Sequence, residues 1–345
     1  MQAPQQKDYA RNGSIFNQHK QVLPEISSPL TISTSSSENQ RLLIEAYLKL
    51  LDMVAVSQES TRALQTITGN RYLVYVHGIS QHQLGYSNSW WQALQPYIGT
   101  VFEDGNLGDA RREVLWSDLV NVSTLANTVN TTQKEQLHRE IVAILEDRQR
   151  QEIAANTGGG GQVYLAMQTH AIERGRDMAF DDFLIYMLNS EMRQQIINRF
   201  TNTVKPLLSS NNQIDIISHS WGTVIAYEGL REMESDQSLQ GQVSNFFTVG
   251  SALSIESVRA FLRSANKDGR RPSMVNKWIN LDAKGDLVGG MLGDMFEITQ
   301  ENLGLHPTGC QLEWFGYRLS CAHGSYFVKD NTTVNRDIFA QCILD

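Results

Sequence analysis

The stretch from Ile214 to Leu230, IDIISHSWGTVIAYEGL, constrains this chain more than any other. Ile214, Ile216 and Ile217 form a short apolar, β-branched run that reads as a buried strand. Val224, Ile225, Ala226 and Leu230 then recur as the apolar side of a helix. Only Ser218-His219-Ser220-Trp221-Gly222 separates the two. A strand that turns so sharply into a helix forces its central residue, Ser220, into a strained backbone conformation, and the residues two places to either side must be small. Ser218 and Gly222 meet that demand. The chain is thereby expected to contain a strand-turn-helix unit that presents a serine at its tip.

Strand signals recur at Tyr72 to Val76, Glu113 to Trp116, Asn245 to Val249 and Lys277 to Leu281, with helical patterns between them over Ser89 to Tyr97, Asp182 to Leu207 and Ser254 to Ser264. Such alternation implies an α/β fold, a mostly parallel sheet covered by helices on both faces. Cys310 to Leu319 reads as a late strand or hairpin and Asn335 to Ile343 as a closing helix. A chain of 345 residues with 41% hydrophobic content can bury one large core, so one domain with insertions is the economical organisation. Residues 1–36 are rich in Gln, Ser, Thr and Asn and read as a flexible polar tail, leaving 37–345 as the folded domain. An amphipathic helix is expected over 38–65, from Leu43, Tyr47, Leu50, Leu51 and Val54.

The alternation is interrupted over 121–176. Thr132 and Glu135 make a capping box, Leu137, Ile141, Ile144 and Leu145 give a helix an apolar face, and Gly158 to Gly161 read as a hinge. This segment is expected to be a helical cap or lid inserted above the sheet. The net charge of -8, with no basic run, argues against a nucleic-acid partner or an anionic membrane surface. The three cysteines, Cys310, Cys321 and Cys342, lack paired metal spacing; a Cys310–Cys321 bridge is possible, but reduced thiols are expected. The N-terminus has no apolar signal-peptide core, and the longest apolar stretch, Leu42 to Val56, is too short and too charged to span a bilayer. A soluble, cytoplasmic protein is the expectation, with signal-independent export left open.

Four segments resemble the α/β-hydrolase superfamily on its lipase and esterase side: Tyr75-Val76-His77-Gly78-Ile79, Ser218 to Thr223, Thr248-Val249-Gly250-Ser251 and Ala322-His323-Gly324-Ser325-Tyr326. The similarity extends from about residue 70 to the C-terminus, and the first strands of a full hydrolase sheet are expected to be replaced by the 38–65 helix. It implies a nucleophile-acid-histidine order along the chain. Ser220 is the expected nucleophile, in a Ser218-bearing variant of the usual glycine pattern. His323 is the expected base, with His306 its rival, and His219 a structural neighbour. Asp286, followed by Leu287 and Val288, resembles the family's acid turn with leucine in place of proline; Asp282 competes with it. Backbone amides of Trp221 and Ile79 are the expected oxyanion donors. Ser80, His82 and Gln83 are expected to line the substrate pocket. The activity implied is hydrolysis of carboxylic esters, lipid-like or other, through an acyl-enzyme, without metal or organic cofactor. An acyltransferase with the same triad, or a catalytically inactive binding protein, are the alternatives.

Overall fold

Alternate residues of the first strand, β1 (Arg71–Val76), go to opposite faces of a sheet: Leu73 and Tyr75 enter one apolar cluster, Val74 and Val76 another, and all four are fully buried. A strand apolar on both faces belongs inside a sheet covered on both sides. The computed structural model, which describes residues 70–120, 131–157, 183–313, 316–317 and 319–345, contains such a sheet. β1 is followed by α1 (Asn88–Ile98), β2 (Arg111–Val114), α2 (Thr131–Thr157), α3 (Ser190–Ser209), β3 (Gln213–His219), α4 (Gly222–Met233), β4 (Gln242–Val249), α5 (Glu256–Phe261), β5 (Val275–Ala283) and β6 (Gln300–Leu305). The six strands are all parallel, in the order β2-β1-β3-β4-β5-β6. The chain is therefore an α/β protein.

Helices cover both faces. Trp91, Leu94 and Ile98 of α1 join Leu73, Tyr75, Ile217, Phe247 and the C-terminal Phe339 and Ile343 on one side. Ile196, Phe200 and Val204 of α3, with Val224, Ile225 and Leu230 of α4, join Val74, Ile214, Ile216 and Phe246 on the other. Each such side chain contributes ~1.5–3 kcal/mol when fully buried, which is why the apolar alternation dictates the layering. The strand order reverses between β1 and β3. In open parallel sheets the crevice beyond the carboxyl ends of the strands at such a point is where ligands bind.

Several elements differ from the sequence expectation. The long helix expected over Asp182 to Leu207 is broken: residues 183–188 are helical, then Asn189 takes an extended conformation and its side chain caps α3 by accepting from the Met192 amide at 2.9 Å. The helix expected over Ser254 to Ser264 shortens to α5, with 3-10 turns at Ala252–Ser254 and Ser264–Asn266. β6, with the polar sequence QENLGL, has no apolar alternation and forms an exposed edge that pattern reading misses. β7 (Leu312–Glu313) and β8 (Gly316–Tyr317) make the expected late hairpin, which leads into α6 (Leu319–Gly324). The closing helix is π-helical over Thr333–Ala340 and continues as α7 (Gln341–Leu344). The 1–36 tail, the 38–65 helix, the Gly158 to Gly161 hinge and all of the 121–176 segment other than α2 lie outside the described residues. No described helix is long and apolar enough to cross a membrane.

The expectation of reduced thiols is corrected: Cys310 and Cys321 are bridged, with Cα atoms 5.7 Å apart. The bond closes the β7–β8 hairpin onto α6. The third cysteine, Cys342, is free and buried.

One buried ion pair locks the face that carries α4. Glu228 of α4 is fully buried and accepts from Arg193 Nε at 2.8 Å, Tyr186 Oη at 2.7 Å and the Arg263 amide at 2.9 Å. Three segments thus converge on one carboxylate of α4. Removing one partner of such a pair leaves the other charge buried and uncompensated. Glu228→Ala is therefore expected to lower unfolding stability by ~3–5 kcal/mol in a urea titration. Breaking the exposed Arg199–Asp118 pair with Asp118→Ala should change it by no more than about 1 kcal/mol. Similar effects from the two variants would refute the assignment of Glu228 as the lock.

Candidate active site

Ser220 stands at the tip of the β3-α4 turn with φ 55°, in the left-handed region that a non-glycine residue adopts only where its surroundings enforce it. Those surroundings are visible. Its amide donates to the Val249 carbonyl at the end of β4 (2.9 Å), and its carbonyl accepts from Thr223 Oγ1 (2.6 Å) and the Thr223 amide (3.1 Å). Ser251 Oγ in turn donates to Thr223 Oγ1 at 2.9 Å. The small positions flanking the serine have separate reasons. A Cβ on Gly222 would fall 2.4 Å from the His77 carbonyl oxygen, so the start of α4 can approach the end of β1 only without a side chain. Ser218, where glycine is the usual residue, is fully buried and donates to the Phe247 carbonyl at 2.8 Å.

The loop after β1 closes on Ser220 from the other side. A Cβ on Gly78 would lie 2.6 Å from Ser220 Cβ and 3.1 Å from its Oγ. His77 sets the adjoining peptide: its Nδ1–H donates to the Gly78 carbonyl at 2.7 Å, its Nε2 accepts from the Trp116 amide at 3.3 Å, and the ring stacks on the Trp116 indole. Only neutral imidazole satisfies both bonds. Burial, then the neighbouring His82, push its pKa down to about 3. Because the Gly78 carbonyl is turned to His77, the Ile79 N–H of the same trans peptide points the other way. Neither the Ile79 nor the Trp221 amide donates to another described residue. The loop is held at further points, by Glu113, which accepts from the Gly85 and Ser87 amides at 2.6 and 2.7 Å, and by Ser117 Oγ, which accepts from the His82 amide at 3.0 Å.

Asp286 and His323 meet across Gly250. His323 Nδ1 lies 2.9 Å from both carboxylate oxygens. The Asp286 carboxylate also accepts from Tyr326 Oη (2.6 Å), the Val288 amide (2.9 Å) and the Gly289 amide (3.1 Å). Burial alone would raise the Asp286 pKa, but the charge and hydrogen bond of His323, the Tyr326 hydroxyl and the Gly289 amide outweigh it and hold the carboxyl well below its usual range. For His323 the balance is reversed. Burial disfavours the imidazolium, yet the charge and hydrogen bond of Asp286, with the charge of Asp282, bring its pKa above the ordinary 6.5. Gly250, at φ 52°, leaves room for this pair: a Cβ there would sit 2.6 Å from Asp286 Oδ2 and 3.0 Å from His323 Nδ1.

His219 is bonded to the back of the site, its Nε2–H donating to the His323 carbonyl at 2.8 Å. Burial, then the charge of His323, push its pKa down to about 3, so it stays a neutral donor. Ser220 Oγ and His323 make no hydrogen bond to each other among the described residues. Of the rival residues, Asp282 acts on His323 through charge, and His306 is exposed in the loop after β6. Among the expected pocket residues, His82 is half-buried with its ring centroid 4.2 Å from that of His77, Ser80 is exposed at φ 93°, and Gln83 is exposed. Tyr326 was part of a recognised segment, but its bond to Asp286 spans 40 residues and has no local signature.

The titration order can be read by NMR of the histidine rings. Between pH about 8 and about 5, His323 should become protonated while His77 and His219 stay neutral. Its midpoint should lie above 6.5. Asp286→Asn should move that midpoint down, and Asp282→Asn should move it down less, since only Asp286 supplies both a charge and a hydrogen bond. A larger shift in Asp282→Asn would reverse the two carboxylates.

In comparisons with known proteins the chain matches no family model, no curated protein and no solved structure, so the functional reading stands on this geometry.

Proposed function

We propose that this chain is an α/β-hydrolase-like serine hydrolase that cleaves carboxylic esters, lipid-like or other, through an acyl-enzyme. The observation that carries the reading is the left-handed Ser220 at the reversal of strand order, beside a closed Asp286–His323 pair. Ser220 Oγ attacks the ester carbonyl carbon while His323 Nε2 takes its proton; Asp286 holds Nδ1–H and stabilises the imidazolium. The negative charge that develops on the carbonyl oxygen is met by the Ile79 and Trp221 amides, each worth ~3–4 kcal/mol in the transition state. Collapse breaks the bond to the alkoxy oxygen, which leaves as alcohol with the proton from His323. Water then repeats the sequence on the acyl-serine, regenerating Ser220 and releasing the acid. The fixed loop between Gly78 and Ser87 favours this use, because donors that are already oriented need no rearrangement as charge appears. The Cys310–Cys321 bridge favours an oxidising compartment over the cytoplasm expected from sequence, since such bonds rarely persist where thiols are kept reduced.

A panel of p-nitrophenyl esters of graded chain length, with a fluorophosphonate probe, tests this proposal. Ser220→Ala should lose several orders of magnitude in turnover and all probe labelling while keeping its melting temperature. The kcat/KM profile should rise with pH through the His323 midpoint, because only the neutral ring accepts the serine proton. Labelling of another residue, or equal labelling of Ser220→Ala, would falsify the assignment.

A further inference from the structure

Arg148 lies on α2, the described helix of the 121–176 insertion, yet its guanidinium is spent on the turn that holds Asp286. Nη1 donates to the carbonyls of Leu287 (2.9 Å) and Gly289 (2.8 Å), more distantly to that of Val288 (3.4 Å), and to Ser254 Oγ (3.1 Å). Nη2 donates to the Ser254 carbonyl at 2.9 Å. Ser254 Oγ itself donates to the Val288 carbonyl at 2.7 Å. The amides of this same segment face the opposite way. Val288 and Gly289 N–H both donate to Asp286 Oδ1. The Leu287–Val288 peptide therefore has its carbonyl toward the guanidinium and its N–H toward the carboxylate, and the Val288–Gly289 peptide has its carbonyl on Ser254 Oγ, itself an Arg148 partner, and its N–H on the same carboxylate oxygen; hydrogen bonds chained in this way polarise and strengthen one another. A guanidinium suits the task because its planar fork offers several fixed donors; an ammonium is a point charge. Leu137, Ile141 and Val142 are buried on the same helix, so the arginine is delivered by a packed element.

We propose that Arg148 is a positioning residue for the Asp286–His323 pair, setting the acid turn from the insertion helix through the Leu287 to Gly289 peptides. The inference rests on reading Ser220, His323 and Asp286 as a triad. It gives the insertion a defined part in the chemistry: docking of α2 and correct presentation of the carboxylate are one event. The other charged and titratable groups facing this locus are Asp282 on β5, Arg259 on α5, His219 on β3 and Tyr326 after α6. None of them reaches the Leu287 and Gly289 carbonyls by a hydrogen bond shown among the described residues.

The test is a double-mutant cycle on the full chain, read as p-nitrophenyl butyrate turnover and as the rate of fluorophosphonate labelling. Arg148→Met should lower kcat ~10- to 100-fold, the scale of a small misplacement at a reacting centre, with KM within about threefold of wild type. Arg148→Lys should recover only part of the loss. In an Asp286→Asn background, Arg148→Met should cost less than about threefold, because the group it positions has gone. If the two losses multiply, or if Arg148→Met leaves kcat unchanged, Arg148 merely fastens the insertion and the proposal is overturned. Should Arg148→Met fail to fold, the cycle is run with Arg148→Lys, and multiplication of its loss with that of Asp286→Asn overturns the proposal equally. Failure of the triad reading is distinguishable, since wild type would then resist the probe or Asp286→Asn would keep full activity.

Discussion

Three backbones come closer at the ends of β1, β3 and β4 than side chains permit, and the architecture of the site depends on that crowding. Ser220 is pressed between Gly78 and the start of α4, with Gly222 against the His77 carbonyl and the Ser220 amide tied to Val249. A left-handed serine costs ~1–3 kcal/mol, and such a conformation persists only where the neighbourhood over-determines it. Here a chain of hydroxyls, Ser251 to Thr223 to the Ser220 carbonyl, completes the enforcement. The apolar clusters on either face of the sheet offset the cost, so the fold can hold a left-handed serine where the strand order reverses.

The charge distribution around this point is equally selective. Three imidazoles, His77, His219 and His323, lie within a short span, and burial would keep all of them neutral. Only His323 faces a carboxylate directly. The two neutral rings act through single donors: His77 turns the Gly78–Ile79 peptide, and His219 fastens the His323 carbonyl. Like-charge repulsion among the three is avoided because only one can gain a proton near neutrality.

Much of the fold was legible in the sequence because the central strands are apolar on both faces and therefore appear as continuous runs. β6 was not, since a polar edge carries no such pattern, and the break at Asn189 was hidden within an otherwise helical periodicity. At the site, the local signature of Ser218 to Gly222 located Ser220, and chain order with turn residues pointed to Asp286 and His323. The two carboxylates Asp286 and Asp282 lie four residues apart, and the sequence does not show that only Asp286 reaches His323 with a hydrogen bond. Arg148 was hidden for the same reason, its partners being more than a hundred residues away. The sequence offers the Cys310–Cys321 pair but gives no sign that it is oxidised, since an odd count of cysteines without metal spacing fits free thiols as well.

The polar edge has a further consequence. Among the described residues β6 pairs with β5 alone, and a strand at the edge of a sheet offers its outer peptide groups to any other chain that can align with it. On β6, Glu301 is turned inward, accepting from the Leu292 amide (2.6 Å), the Gly293 amide (3.0 Å) and Asn280 Nδ2 (3.3 Å). The strand also places Gly304 at φ 64°, which interrupts the extended backbone just before its end. A second molecule docking edge to edge would meet a strand that is kinked at Gly304, tethered through Glu301 and largely polar, with Leu303 its exposed apolar side chain. The same residues that made β6 invisible to pattern reading thus oppose growth of the sheet into aggregates.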